Sequence, residues 1–372
     1  MLFRINTNDI NYAMNMVTRA IAARPVKQIY EGVLIETKDD GIQFTCTDGE
    51  ITVKTSAAAQ ISEGGTTVMP AKLLAELMRR QSGGDVEMKI DDNSSALIRS
   101  HGSSTNMVGM TAEDFPEISD ITGQQIKLPC GKLRNAISRV MFAVSTDESR
   151  KALTGVLLET YAEETRLVGL DGFRLALQCV EAKNDIPAGK EMISAIIPGR
   201  VMNEISRMLP EDHEKEVTLT FNATHMMASF DNVKIYSTLL MGEFIDYKHI
   251  LPDKRTTEIV VEKAPFGEAL ERCGLIAREG KNNLIMLNLS ENGMVMTSRA
   301  ERGDVHEEMP IIFNGEPLKI AFNSHYLTDV IKNVEDGDIR MCFNSSVSPC
   351  LVRPVEGNQF TFLVLPVRTY DA

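Results

Sequence analysis

The chain reads as an α+β protein of three successive domains of one kind, each with two helices packed on antiparallel sheets. Three observations carry that reading: a strand-to-helix motif written three times, a short apolar strand repeated at a fixed offset, and period-two strand patterns filling the intervals. The motif is clearest at Val68-Met69-Pro70-Ala71-Lys72-Leu73-Leu74, where a strand runs into a proline and a helix follows. It recurs at Ile196-Ile197-Pro198-Gly199-Arg200-Val201, and again at Ile320-Ala321-Phe322-Asn323-Ser324-His325 with Asn323 in place of the proline. Pro70 and Pro198 are 128 residues apart and Pro198 and Asn323 are 125 apart, a domain-sized period.

Taken in order, Phe3-Arg4-Ile5 is a strand, and a helix from Asn8 to Ala23 follows with Ile10, Ala13, Met14, Val17 and Ile21 on one side. Gly32-Val33-Leu34-Ile35-Glu36 is the next strand, answered 123 residues later by Gly155-Val156-Leu157-Leu158-Glu159; the same offset carries Asp48-Gly49 onto Asp171-Gly172. The motif helix over 70–81 should turn Leu73, Leu74, Leu77 and Met78 to the core, with its proline at the first helical position. Further strands follow at Asp85–Ile90, Val217–Phe221 and Asp338–Phe343. The second and third domains open at Ile126-Lys127-Leu128 and Ile259-Val260-Val261, each leading into a helix, and Asn323 is the expected N-cap of the last one. Boundaries follow at 1–124, 125–253 and 254–372, with no low-complexity linker between them.

Apolar residues make up 43% and charged residues 24% of the 372, a globular composition, and no apolar run is long enough for a membrane span. The opening Met-Leu-Phe-Arg-Ile-Asn lacks the basic-then-apolar order of a signal peptide, so a cytoplasmic protein is expected. Six scattered cysteines form no Cys-x-x-Cys pair, and the six histidines stand apart; reduced thiols, no metal and no cofactor are the expectation.

The net charge of −13 would ordinarily argue against nucleic acid, but its distribution argues the other way. The six expected helices, 8–27, 70–81, 131–141, 198–210, 263–281 and 323–334, hold sixteen Lys and Arg against seven Asp and Glu, which leaves −22 for the rest of the chain. Glu is as good a helix former as Lys, so propensity does not explain the sign. Helices facing one way would present a cationic surface suited to sequence-independent phosphate contact.

Together with the repeats, Arg24-Pro25, Leu170-Asp171-Gly172-Phe173-Arg174-Leu175-Ala176, Ile197-Pro198, Phe244-Ile245-Asp246-Tyr247, Ile250-Leu251-Pro252 and the terminal Leu363-Val364-Leu365-Pro366-Val367-Arg368 are similar, in order and spacing, to the bacterial sliding clamps, the beta subunits of DNA polymerase III. That resemblance covers essentially the whole chain. It implies clamp-type domains in a head-to-tail homodimeric ring that encircles duplex DNA, has no chemistry of its own, and tethers the DNA polymerase III alpha subunit, the clamp loader and other proteins carrying a clamp-binding motif. It further implies a cleft for an extended Leu/Phe peptide, walled by Leu153, Leu170, Gly172, Phe173, Arg174, Leu175, Ile245, Ile250, Leu363, Leu365, Pro366, Val367 and Arg368. In the residues themselves, Gly172 leaves room for close approach, and the arginines can hold peptide carbonyls or an acidic flank. DNA contacts carried over in the same way are Arg24, Arg79, Arg150, Lys151, Arg200, Asn323 and Tyr326, and a subunit interface is expected at Met107, Leu275 and Ile276. Phe173 stands where many relatives have histidine, and Tyr370, in an extended C-terminus, is expected to lean over the cleft.

Two other readings remain open on residues alone. One is an enzyme acting on a phosphorylated small molecule with Asp171 and Arg174 as its polar pair, although no Walker loop, nucleophile elbow or His-Glu-x-x-His motif is present. The other is an acidic scaffold that binds only proteins.

Overall fold

The structure, a computed structural model, describes residues 1–21, 24–39, 41–186, 192–252, 254–334 and 337–369. Ala23 at the end of the first expected helix, Asp253 at the second domain boundary and Tyr370 lie outside the described residues. Six α-helices are present among them: α1 (Thr7–Val17), α2 (Ala71–Arg79), α3 (Cys130–Val140), α4 (Gly199–Met208), α5 (Lys263–Glu279) and α6 (Ser324–Lys332). The first is shorter than its apolar spacing suggested; it passes into a 3-10 turn over Thr18–Ala20, which leaves Ile21 extended.

Pro70, Pro129 and Pro198 are each the last residue of a strand, one position before the helix, so the prolines cap rather than begin their helices. All three strands are sheet edges, where a missing N–H leaves no ladder partner unsatisfied. Asn323 caps α6 as expected, its side chain accepting from the His325 N–H at 2.9 Å. In α2 the buried residues are Ala71, Leu74, Ala75 and Met78, while Leu73 is exposed. Small residues at 71 and 75 let the helix sit close, and this rotates Leu73 away from the core.

Two compact units divide the chain. The first comprises Met1–Gly131 and Arg207–Leu239. It holds a five-stranded sheet in the order Ala59–Glu63, Leu2–Asn6, Asp85–Ile90, Ser95–Ser100, Ser103–Val108. It also holds an eight-stranded sheet in the order Gln124–Pro129, Glu216–Phe221, His225–Phe230, Val233–Thr238, Ile51–Ala57, Gly41–Thr47, Gly32–Lys38, Thr66–Pro70. Pairing of Val233–Thr238 with Ile51–Ala57 makes one sheet of strands from the first and second repeats. Helices α1 and α2 pack on each other and on this sheet.

The second unit comprises Lys132–Ser206 and Leu240–Ala372. Its nine-stranded sheet runs Ile193–Pro198, Gly155–Thr160, Glu164–Leu170, Arg174–Glu181, Phe360–Val364, Cys350–Pro354, Asp338–Phe343, Thr257–Glu262, Ile312–Gly315. A four-stranded sheet runs Gly303–Met309, Gly293–Ala300, Leu284–Ser290, Leu318–Asn323, with α5 packed on its first three strands. Here Arg174–Glu181 pairs with Phe360–Val364 and joins the second repeat to the third. Both joints therefore use the same two strands of the repeat. The counterparts at the two ends of the series, Ser103–Val108 and Gly303–Met309, are sheet edges. All six cysteines are free thiols, and burial pushes those of Cys130, Cys179 and Cys273 up to about 11.

Candidate peptide-binding cleft

The second joint carries an apolar lane. Leu170 lies opposite Leu175, Leu175 opposite Leu363, Leu363 opposite Leu351 and Leu351 opposite Cys342, so five side chains line one face across successive strands. Each is at most 4% exposed, and Leu153, Leu157 and Leu177 join the same cluster. Phe244, Ile250, Leu251 and Leu365 pack against it while remaining partly open. Ile245 is 39% exposed, Pro366 and Val367 are half-buried, and Arg368 is exposed.

The equivalent lane of the first unit is Thr47, Thr52, Tyr236, Met227 and Thr220. Its groove of about 410 Å³ is lined by Gly49, Thr52, Tyr236 and the 117–122 segment, and Asp120 there takes the Tyr236 hydroxyl and pairs with Lys234 at 2.6 Å. The two joints share a backbone and differ in side chains. Aliphatic anchors suit the second, where burying each contributes about 1.5–3 kcal/mol.

The mouth is set by the Asp171–Gly172 turn. Asp171 Oδ1 accepts from the Phe173 and Arg174 N–H groups at 2.9 and 3.0 Å, and the Asp48 side chain does the same for Glu50 and Ile51. Gly172 has φ +93°, whereas a Cβ there would meet nothing nearer than Arg150 Nη1 at 3.7 Å. The glycine is needed for its left-handed backbone, not for the room that the sequence suggested. The same distance places Arg150, expected on DNA, at the turn itself.

Arg174 does not present an open guanidinium. Its Nε donates to Asp171 Oδ2 at 3.0 Å, its Nη1 donates to Asp329, and its plane lies over the rings of Phe142 and Tyr326 at 5.4 and 4.9 Å. It braces the wall, whereas Arg368 is exposed. Tyr326, expected on DNA, is stacked on Phe173 with centroids 5.3 Å apart, and Phe173 is 54% exposed. The structure thus groups Tyr326 with Phe173 and Arg174. Backbone bonds from Leu365 N to Phe173 O (2.9 Å) and from Val367 N to Ala321 O (2.8 Å) hold the terminal segment beside this pair.

The segment after Leu240 is fastened by a buried carboxylate that sequence reasoning missed. Glu159 Oε2 accepts from Tyr247 Oη at 2.6 Å, and Lys248 Nζ lies 3.5 Å from Oε1 and donates to Tyr161 Oη at 3.0 Å. Burial first, and then the Glu159 carboxylate, push the Tyr247 phenol above its ordinary range.

Among the remaining expected contacts, Arg24, Arg79, Lys151 and Arg200 are exposed. Met107 is 4% exposed and points into the core, while Val108, one residue on, is 75% exposed; the apolar residue of that edge is Val108. Leu275 is 62% exposed, and Ile276 Cδ1 reaches within 3.9 Å of where a Cβ on Gly303 would stand.

Repeated two-helix domains joined strand to strand, with an apolar cluster at one joint flanked by partly open apolar residues, define a clamp-type scaffold protein. Residues 1–119, 127–246 and 248–368 match the N-terminal, central and C-terminal domains of the DNA polymerase III beta subunit. The chain is 31% identical to the beta sliding clamp of Bacillus subtilis over the whole of both chains, and 28% identical to that of Staphylococcus aureus, again over the full length of both. The crystal structure of the Bacillus subtilis sliding clamp matches with a TM-score of 0.94 over all of both chains. That of the Thermotoga maritima beta subunit matches with 0.91 at 28% identity, over 99% of this chain and 100% of the other. The chain belongs to the DNA polymerase III beta subunit family, the beta sliding clamps.

Proposed function

We propose that the protein acts as a homodimeric ring that encircles duplex DNA and holds the polymerase and other partners to it. The carrying observation is that the two joints within the chain pair equivalent strands, and the same two strands lie open as edges at the opposite ends of the series. A second copy offering Ser103–Val108 to Gly303–Met309 repeats the joint twice more and closes the set, leaving neither of these two edges open. Its apolar seam is Val108 against Leu275 and Ile276, with Met107 supporting from beneath. The domains are 1–124, 125–253 and 254–372.

Arg24, Arg79, Arg200 and Lys151 serve duplex phosphates; Asn323 is engaged as a cap. Contacts of this diffuse kind suit a ring whose hold on DNA is topological. The cleft takes an extended peptide with Leu and Phe anchors, from the polymerase alpha subunit, the clamp loader or another partner, in the cytoplasm. Net binding near micromolar, after ordering losses, permits exchange. As a member of this family the chain is a processivity factor and not an enzyme.

Loading the protein onto a nicked circle with a clamp loader and then linearising the DNA tests the ring. Release on cutting is expected; retention on linear DNA counts against it and favours ordinary surface binding.

A further inference from the structure

On the face of the nine-stranded sheet that also carries Leu351 and Cys342, Arg340 and Arg353 are directly opposite each other on the neighbouring strands Asp338–Phe343 and Cys350–Pro354. Like charges in that position repel, and an antiparallel pair ordinarily avoids them. The nearby carboxylate, Glu258, is already engaged: Oε2 lies 3.2 Å from Arg255 Nη1 and 3.6 Å from the Cys342 thiol, and Oε1 lies 3.4 Å from Arg340 Nε. Arg340 spends a further N–H on the Val355 carbonyl at 2.7 Å. Arg353 has neither an ion pair nor a hydrogen bond among the described residues, and its Nε is buried without an acceptor. Arg255 and Arg340 thus share one carboxylate and Arg353 pairs with none among the described residues, on a chain whose strands and loops are otherwise acidic.

A half-buried guanidinium with no anion is unfavourable, and adding an oxyanion relieves both its desolvation and the cross-strand repulsion. The opposite face of the same strands is core, with Ile259, Met341, Val352 and Phe362 in register and fully buried, so the arginines do not share the side on which the helices pack. They flank the strands that carry Leu351 and Cys342, the far end of the apolar lane.

We propose that Arg353, with Arg340 and Arg255, forms a carboxylate-binding site on this face that receives an acidic segment of a partner protein. The end of the arginine fork, Nη1 and Nη2, matches a carboxylate through two parallel bonds, and Arg353 is the group with both to give. The proposal rests on the reading that the chain recruits proteins, and the experiment separates the two.

Fluorescently labelled hexaglutamate and, in parallel, a labelled Leu/Phe cleft peptide are titrated into the full-length protein and followed by anisotropy. Saturable hexaglutamate binding is expected, weakened at least tenfold by Arg353→Gln and also by Arg340→Gln, with cleft-peptide affinity unchanged. Arg353→Gln should leave the melting temperature unchanged or raised, because it removes a cation that lacks a partner. Hexaglutamate that does not bind, or binds equally well to Arg353→Gln, overturns the proposal while leaving the cleft reading intact. Failure of the cleft peptide alone overturns the cleft and not this site. An oligothymidylate that competes better than hexaglutamate assigns the site to nucleic-acid phosphate and overturns it.

Discussion

Phe173 and Tyr326 lie ring against ring, 5.3 Å between centroids and 18° between planes, joining the turn after Asp171 to the helix that Asn323 caps. Arg174 lies over the Tyr326 ring and is held by Asp329 on the same helix, so the cleft mouth is built from two repeats at once. A stacked pair of this kind is worth about 0.5–1.5 kcal/mol beyond its buried area. Tyr326→Ala should therefore weaken a Leu/Phe peptide several-fold in calorimetry, and retention on circular DNA should not change. Loss of DNA retention at normal peptide affinity would return Tyr326 to the DNA contacts.

Leu365→Ser together with Val367→Ser should abolish measurable peptide binding and leave the dimer intact. Both residues are only partly buried in the free protein, so the change costs the fold little; the loss falls on the bound state, where apolar anchors would meet hydroxyls. Peptide titration and sedimentation velocity on the same sample check it, and unchanged peptide affinity contradicts the cleft.

Charge reversal at Arg24, Arg79 and Arg200 should impair loading on DNA, make the remaining association less dependent on salt, and spare peptide binding. Each lost phosphate contact removes one released counterion, so the slope of affinity against salt falls by about one per arginine. Loading equal to wild type removes the basic-lining argument.

Repeats, helix positions and the Asn323 cap were legible because each is written locally, in apolar spacing or a single capping side chain. What escaped was set by pairing over long distance. That Arg174 is fastened to Asp329 follows from the partnership of Arg174–Glu181 with Phe360–Val364, which no local pattern encodes. Met107 and Val108 show a second limit: on a strand, a slip of one residue exchanges core for solvent, and the flanking Asn106 and Gly109 give no alternation to decide it. Leu73 failed for a related reason, since Leu73 and Leu74 both fit an apolar stripe, and the small residues Ala71 and Ala75 chose between them. Glu159 was unreadable because its repeat partner Glu36 is an ordinary strand glutamate; its role appears only once Tyr247 and Lys248 reach it.

Tyr247→Phe removes a hydrogen bond to a buried carboxylate and should destabilise the protein by about 1–3 kcal/mol near neutral pH. The folded state holds the Tyr247 phenol above its ordinary range, and Lys248 is raised as well, first by its bond to Tyr161. Stability from a raised group is complete below its unfolded value, about 10 for both, and is lost as pH climbs toward the folded one. The gap between wild type and Tyr247→Phe in urea midpoint should hold from pH 7 to 9 and narrow above pH 10. A gap that widens in alkali would mean that the phenol ionises more readily folded than unfolded, contrary to its burial.

Val108→Asp tests the closing of the ring most directly. The side chain stands 75% exposed on an edge strand, so the monomer folds around Asp as readily as around Val. In a pairing of Ser103–Val108 with Gly303–Met309, however, the new carboxylate would enter an apolar seam beside Leu275, and the facing strand already exposes Asp304 and Glu308. Burying an unpaired charge there outweighs what a small edge-to-edge interface supplies. Sedimentation equilibrium should show a dimer for wild type and a monomer for Val108→Asp at the same micromolar concentration, with unaltered melting of the monomer and unaltered affinity for the Leu/Phe peptide. A Val108→Asp protein that remains dimeric would exclude this edge as the joint and leave the open strand Gly303–Met309 without its partner.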